Sequence, residues 1–251
     1  MCLILLAWQQ DASLPLIVAA NRDEFHGRPT RALHWWSDHP DVLAGRDLEA
    51  GGTWLGMSRG GRFAALTNFR DADRRRGSRS RGELVSGFLI GNRPPLAYAA
   101  EIYGDAYAGF NLLVGDRREM AYVNNRGREP VLLSPGIYGL ANAELDAPWH
   151  KTRYGKAALA DLMVAGRISA DALGHVLDNR QRADSADVET GGLDIELAHA
   201  LTAPFIVTPD YGTRSSTVVI LDDHGRMEVM ERSFTPDGAR QGEERSRIQL
   251  A

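Results

Sequence analysis

Short apolar runs separated by polar turns dominate the sequence and predict β-strands. Residues 2–8 and 15–21 are rich in Leu, Ile, Val and Ala and are joined by a polar segment, a pattern typical of a β-hairpin. Further hairpins are predicted where apolar runs flank Arg59-Gly-Gly and Asp222-Asp-His-Gly. Three more strands are predicted after Gly109, at Glu119 and at Pro130.

Helical patterns lie between these strands. Residues 82–103 favour a helix that Pro94-Pro95 interrupts, residues 149–167 favour a second, and Ser169 is placed to cap a third. Hairpins alternating with helices, and 26 glycines for turns, predict an α+β fold with mainly antiparallel sheets. We see no dividing linker, so we expect one domain over residues 1–236, followed by a frayed polar tail over 237–251.

Composition narrows the class of protein. The 251 residues are 43% hydrophobic and 25% charged, which is typical of a soluble globular protein with a substantial core. A net charge of −4 argues against nucleic acid as a partner, and a single cysteine leaves no internal disulfide. The opening apolar run is too short to span a membrane and lacks a basic segment before it. We therefore expect a cytoplasmic protein without stable membrane insertion.

The single cysteine, Cys2, becomes the first residue if Met1 is removed. It would then carry a thiol beside a free α-amine, whose pKa of about 7.7–8.0 allows it to accept the thiol proton near neutral pH. Because the thiolate is the attacking species, this pair is a complete nucleophile and base. A small buried hydrophobe is the alternative interpretation of Cys2.

Polar blocks follow several predicted strands: Asn21-Arg-Asp-Glu, Thr67-Asn-Phe-Arg, Leu140-Ala-Asn and Thr213-Arg-Ser-Ser. Acyl-transfer chemistry needs neutral donors at the carbonyl oxygen, and Asn68 and Asn142 have that character. Arg22 or Arg214 near Cys2 would favour the thiolate. Each block on its own is also typical of an ordinary turn.

Together these blocks resemble a known family. Met-Cys-Leu-Ile, Asn21-Arg-Asp-Glu-Phe, Gly51-Gly-Thr-Trp-Leu-Gly, Thr67-Asn-Phe-Arg, Gly109-Phe-Asn-Leu-Leu, Gly139-Leu-Ala-Asn and Thr213-Arg-Ser-Ser-Thr occur in the order of the NRDE family, the transport and Golgi organization protein homologues. The resemblance extends from residue 1 to about residue 235 and implies the N-terminal-nucleophile (Ntn) hydrolase fold, a four-layer αββα sandwich.

The resemblance also implies a function. The chain is similar to the penicillin V acylase and bile-salt hydrolase group, whose nucleophile is a cysteine exposed by removal of Met. It implies hydrolysis of a non-peptide C–N amide bond in a small molecule, without a cofactor. The implied catalytic residues are Cys2, Asn68, Asn142 and Arg214. The implied substrate-binding residues are Asn21, Arg22, Asp23, Glu24 and Trp54. An acid follows the second strand in that group, and here Asp23 and Glu24 are both candidates.

Other functions stay open at this point. The family has been linked to haem trafficking, so the alternative is a carrier that binds haem non-covalently, with His26, His34 or Cys2 as axial ligand. A third interpretation is a structural protein with a vestigial Cys2. The histidines form no zinc-binding pattern, and Gly56-Met-Ser-Arg-Gly lacks the following helix that a nucleophile elbow requires. The basic run over 70–81 is typical of a solvated loop, with contact to an anionic substrate as its alternative.

Overall fold

Antiparallel sheets with a few helices make this an α+β protein. The structure is a computed structural model, and it describes residues 2–70, 77–127, 129–185, 188, 190 and 192–250. In chain order the strands are β1 (Cys2–Trp8), β2 (Leu16–Phe25), β3 (Thr30–Trp35), β4 (Val42–Asp47), β5 (Leu55–Ser58), β6 (Phe63–Asn68), β7 (Phe110–Gly115), β8 (Met120–Asn124), β9 (Val131–Leu132), β10 (Gly136–Leu140), β11 (Tyr211–Leu221), β12 (Arg226–Phe234) and β13 (Arg240–Gln249). The α-helices are α1 (Gly82–Ile90), α2 (Pro95–Ala100), α3 (His150–Val164), α4 (Ala170–Leu177) and α5 (Ile195–Ala200), and Gly104–Ala106 forms a short 3₁₀ helix.

The chain divides into two compact units with one sheet each. The first unit contains the chain up to Gly27 together with Pro135–Arg247, and the second contains Arg28–Ser134 together with the last residues from Ile248 on. The single domain over residues 1–236 stays a prediction, and the residues that it spans contribute to two sheets. The segment that builds the second sheet lies between β2 and β10 in the sequence.

The first unit holds a six-stranded sheet in the order β10-β1-β2-β11-β12-β13. Successive strand residues point to opposite faces, so Leu3, Leu5 and Ala7 of β1 share one face. That face packs against α3 and α4, where Leu159 and Leu173 are buried with them. We call this the helix side of the sheet. Ile4, Leu6 and Trp8 on the opposite face are buried as well, so β1 is apolar and buried on both of its faces.

Close contacts fix α3 against the sheet. A Cβ on Gly155 of α3 would lie 2.5 Å from the Leu5 side chain, and a Cβ on Gly139 of β10 would lie 2.5 Å from the Thr152 methyl group. Both distances are too short for a side chain, so glycine is required at the two points where helix and sheet approach. The first turns of α3 are thereby held directly over β1 and β10.

The second unit holds a seven-stranded sheet in which β3 to β9 follow one another in sequence order. Apolar residues of this sheet pack against α1 and α2, with Phe88, Phe110 and Leu112 fully buried. The hairpin predicted around Arg59-Gly-Gly is present as β5 and β6. Ser58 ends β5 at that hairpin turn, so Gly56-Met-Ser-Arg-Gly is a turn rather than a nucleophile elbow.

Most predicted elements are present, and one expectation was wrong. Pro94-Pro95 separates α1 from α2, and the Ser169 hydroxyl accepts a hydrogen bond from the Ala172 N–H at 3.1 Å as a helix cap. Residues 240–249 form β13 instead of a frayed tail, because this polar strand pairs along β12. Of the basic run over 70–81, residues 71–76 lie outside the described residues. Within the described ranges, no helix is long and apolar enough to cross a membrane.

Candidate active site

Cys2 lies in a row of polar residues across three neighbouring strands. It begins β1 directly opposite Arg22 of β2, and Arg22 lies opposite Ser215 of β11. Side chains at directly opposite positions of antiparallel strands project to the same face. The candidate nucleophile, a buried guanidinium and a hydroxyl therefore share the face that points away from the helix side.

A hydrogen bond joins Asn142 to the main-chain nitrogen of Cys2. Asn142 lies two residues beyond the end of β10, is fully buried, and accepts a hydrogen bond through Oδ1 from the Cys2 main-chain nitrogen at 3.2 Å. In a chain without Met1, this nitrogen would be the α-amine. The bond uses the amide oxygen, whereas the predicted contact to a substrate oxyanion would use the amide nitrogen, so the two functions are compatible on one side chain.

The surroundings of the Cys2 sulfur influence its acidity in both directions. Burial raises the pKa of the thiol, and the charge of Asp23 raises it further. The backbone N–H of Asp23 donates to the sulfur, and together with the nearby Arg22 it lowers the thiol pKa. The net pKa lies above the ordinary value. A base close to the sulfur is therefore needed if the thiolate is to form at neutral pH.

Asp23 is buried in a set of specific contacts. Its side chain is 2% exposed, and Oδ1 accepts a hydrogen bond from the Thr213 hydroxyl at 2.7 Å. Its main-chain carbonyl accepts a hydrogen bond from the Tyr211 hydroxyl, also at 2.7 Å. Burial raises the pKa of the Asp23 carboxyl above its ordinary value, although the charge of Lys151, the Thr213 bond and the charge of Arg22 each lower it. Asp23 is thus a fixed carboxyl beside Cys2 that needs cationic neighbours to stay ionised.

Glu24, the other candidate acid, lies in a different environment. It is half-buried, and its carboxylate accepts a hydrogen bond from the main-chain N–H of the next residue, Phe25, at 2.8 Å. Only Asp23 combines deep burial with contact to the Cys2 sulfur. Asp23 is therefore the acid that enters our proposal.

Asn21 points to the helix side rather than to the Cys2 side. Its amide nitrogen donates to the carbonyls of Leu177 at 2.9 Å and Pro204 at 2.8 Å, and its amide oxygen accepts from the Ser216 hydroxyl at 2.5 Å. These bonds join β2 to the end of α4 and to the segment before β11. We assign Asn21 to this junction and leave it out of the proposed substrate contacts.

Arg214 occupies a β-bulge. Thr213 pairs with Asp23 and Ser215 pairs with Arg22, so Arg214 is the extra residue of β11 between them. Its guanidinium donates to the main-chain carbonyls of Phe25 at 2.9 Å and His26 at 3.1 Å. The bulge directs this side chain to the end of β2, and its catalytic role stays a prediction.

Asn68 and Trp54 belong to the second unit. Asn68 is the last residue of β6, and Trp54 directly precedes β5 with its ring against Gly45 of β4. A Cβ on Gly45 would lie 2.3 Å from that ring, which fixes the position of the indole. The oxyanion role of Asn68 and the substrate contact of Trp54 stay predictions.

The histidines named as haem ligands have other contacts. One ring nitrogen of His26 lies 3.1 Å from the Thr208 carbonyl, and the other is buried without a hydrogen-bond partner. Nδ1 of His34 lies 2.8 Å from the Ala32 carbonyl. The axial-ligand role of His26, His34 or Cys2 stays a prediction. The described residues contain no group of three or more His, Cys, Asp or Glu side chains that could hold a metal ion.

Lys151 is the residue near the site that the sequence analysis missed. It lies in the first turn of α3 and is completely buried, and its charge acts on Asp23. The helix pattern contained a signal, because Lys151, Gly155 and Leu159 recur every four residues on the buried stripe of α3. A lysine in such a stripe indicates a buried charge.

Comparisons with known proteins agree with this architecture and define the family. The fold is similar to the C2A mutant of conjugated bile acid hydrolase from Clostridium perfringens, with a TM-score of 0.56 at 9% identity over 100% of this chain and 92% of that one. This likeness shows an Ntn-hydrolase-like fold. The Bos taurus transport and Golgi organization protein 2 homolog is 42% identical over 239 residues, covering 87% of this chain and 86% of that protein. The Homo sapiens homolog is 36% identical over 238 residues, with the same two coverages. Residues 1–236 match the family described as Transport and Golgi organisation 2, and the chain belongs to that family.

Proposed function

We propose that this protein is an Ntn-type cysteine hydrolase that cleaves a non-peptide amide bond of a small molecule. The observation that carries the proposal is the environment of Cys2: its nitrogen donates to Asn142 Oδ1 at 3.2 Å, and it lies directly opposite the buried Arg22. Nucleophile and base would belong to one residue, and both are fixed by neighbours. The Ntn-hydrolase-like fold is compatible with this chemistry.

In the proposed first half-reaction, the Cys2 thiol gives its proton to its own α-amine. The thiolate then forms a bond to the amide carbon, and the carbonyl oxygen becomes an oxyanion. The Asn142 amide nitrogen stabilises that oxyanion. The C–N bond breaks, the leaving nitrogen takes the proton from the α-ammonium, and the acyl group remains on sulfur as a thioester.

In the second half-reaction, water replaces the released amine. The α-amine takes a proton from the water molecule as it adds to the thioester carbon. The S–C bond then breaks, the carboxylic acid leaves, and the proton returns to the sulfur. In the proposal, Arg22 favours the thiolate, while Asp23 orients the α-ammonium.

Removal of Met1 is the requirement that this mechanism places on the chain, because a peptide nitrogen is not a base. The first test is the intact mass of protein from its native host, before and after brief treatment with iodoacetamide. We expect loss of Met1 and addition of one alkyl group, since Cys2 is the sole cysteine. A retained Met1 would exclude α-amine catalysis and overturn the proposal.

Turnover is tested on chromogenic acyl amides with short, medium and long acyl chains. Cys2→Ala should abolish hydrolysis and leave the circular dichroism and the denaturation midpoint unchanged, because Cys2 is a small residue at the start of a strand. Cys2→Ser is the matched variant, which keeps a weaker nucleophile. Hydrolysis by Cys2→Ala at the wild-type rate would contradict the role of Cys2. The haem-carrier alternative stays a prediction.

A further inference from the structure

The protein has two lysines, and they occupy opposite environments. Lys156 is partly exposed on α3 and pairs with Asp146 at 2.7 Å. Lys151, in the first turn of the same helix, is 0% exposed. A buried ammonium is strongly disfavoured unless an opposite charge lies close by, so the position of Lys151 needs an explanation.

The fold determines where the Lys151 side chain lies. The close approaches of Gly155 to Leu5 and of Gly139 to Thr152 hold the start of α3 on the helix side of the sheet, over β1 and β10. Lys151 lies on the same stripe of α3 as Gly155, four residues earlier. Its side chain is therefore directed toward the sheet, where its charge acts on Asp23.

Asp23 lies on that same side. It lies two residues after Asn21 on β2 and therefore projects to the same face, which the bond from the Asn21 amide to the end of α4 identifies as the helix side. The Thr213 hydroxyl, on the neighbouring strand, donates a hydrogen bond to Oδ1 of Asp23, and the Tyr211 hydroxyl donates to the main-chain carbonyl of Asp23. Among the charges that lower the pKa of Asp23, that of Lys151 has the largest effect.

We propose that Lys151 is a positioning residue of the Cys2 site, whose buried ammonium is the countercharge that keeps the Asp23 carboxylate ionised. The proposal rests on the proposed function only where it relates this pair to catalysis. Two buried charges of opposite sign compensate each other, whereas either one alone is costly. An ionised Asp23 can in turn orient the α-ammonium that the catalytic cycle forms on Cys2.

The charge of Lys151 can be observed directly. Protein labelled with ¹³C at lysine Cε gives two signals, and Lys156→Met identifies which belongs to Lys151. We expect Lys151 to be an ammonium at pH 7 in the wild type. In Asp23→Asn it should lose its proton at a pH at least one unit lower, a tenfold loss of proton affinity, because burial then acts without compensation. The same Lys151 titration in both proteins would overturn the proposal.

Stability gives a second test. Lys151→Met should lower the urea denaturation midpoint, and adding Asp23→Asn should reverse most of that loss, because both charges are then absent. Lys156→Met is the matched control on the same helix and should have little effect. If Lys151→Met does not fold, its effect is measured in the Asp23→Asn background, where it should be small. Additive losses in the double variant would contradict the pairing.

The connection to Cys2 is tested by the pH profile of iodoacetamide alkylation. The alkylation rate should change with pH as Asp23 ionises. Lys151→Met should shift this change to higher pH, and Lys156→Met should leave it at the wild-type pH. If Lys151 had only a packing role, Lys151→Met would lower the urea denaturation midpoint without changing the pH dependence of alkylation. None of these measurements needs amide turnover, so a protein that hydrolyses no amide yet shows the Lys151–Asp23 dependence would refute the proposed function alone.

Discussion

At the scale of single residues, neighbouring positions of β2 have separate roles because strand side chains alternate. Arg22 shares a face with Cys2, whereas Asn21 and the Asp23 carboxyl lie on the helix side. The block Asn21-Arg-Asp-Glu is recognisable in the sequence, but all its members were predicted to be substrate contacts. The partners of Asn21, Leu177 and Pro204, lie 156 and 183 positions away, and no local pattern indicates such contacts.

This division of roles predicts that Asn21→Ala is a stability variant. It leaves the buried carbonyls of Leu177 and Pro204 without their donor, which costs about 1–3 kcal/mol for each unsatisfied group. We expect a lower free energy of unfolding in urea and an unchanged rate of Cys2 alkylation under native conditions. Ser216→Ala removes only one of the three bonds and should lose less. A stable Asn21→Ala protein with altered alkylation would place Asn21 at the Cys2 site instead.

At the scale of elements, apolar patterning predicted strands well where both faces are buried. The sequences of β1 and β2 contain continuous apolar runs, and a short polar segment joins the two strands. In contrast, β3 carries Arg31 and His34 and is mostly half-buried, so its sequence has no clear alternation. The polar strand β13 was predicted as a tail for the same reason, because its environment depends on residues far away in the chain.

Charged side chains join β13 to its neighbours. Arg232 of β12 donates to Asp171 of α4 at 2.5 Å and to Glu243 of β13 at 2.9 Å, and Arg245 also donates to Glu243 at 2.9 Å. The side chain of Arg232 is largely buried, which makes its charge more dependent on these partners than a surface pair would be. The network therefore gives a polar strand a specific position.

The network predicts a defined dependence of stability on pH. Hydrogen bonds from Arg232 and Arg245 lower the pKa of Glu243 from 4.5 to about 2. A lowered pKa in the folded state means that the stabilisation is present above pH 4.5 and is lost as the pH falls toward 2. Glu243→Gln should therefore have a lower urea midpoint than the wild type at pH 7, and the difference should shrink on acidification. The neighbouring exposed Glu244, changed to Gln, is the control. A constant difference across this range would exclude the ionised pair as its source.

At the scale of the whole molecule, the fold depends on pairings between distant segments. β1 pairs with β10 through Ile4 and Leu140, and the segment that builds the second sheet lies between these strands in the chain. Contacts of this kind have no local sequence signal, which is why the pattern predicted the elements and not the division into two units. The resemblance to a family supplied the architecture that patterning alone did not provide.

The end of the chain provides the sharpest test at this scale. A frayed tail over residues 237–251 could be removed without loss of stability, whereas the structure places β13 beside β12 and buries Ile248 and Leu250. Each buried side chain contributes about 1.5–3 kcal/mol, so the truncated protein should have a clearly lower urea midpoint or fail to accumulate in soluble form. Ile248→Ala with Leu250→Ala keeps the strand and removes only the apolar burial, and it should account for a large part of the loss. Because this family's motifs end near residue 235, a truncated protein with wild-type stability would mean that β13 is dispensable to the fold that positions Cys2.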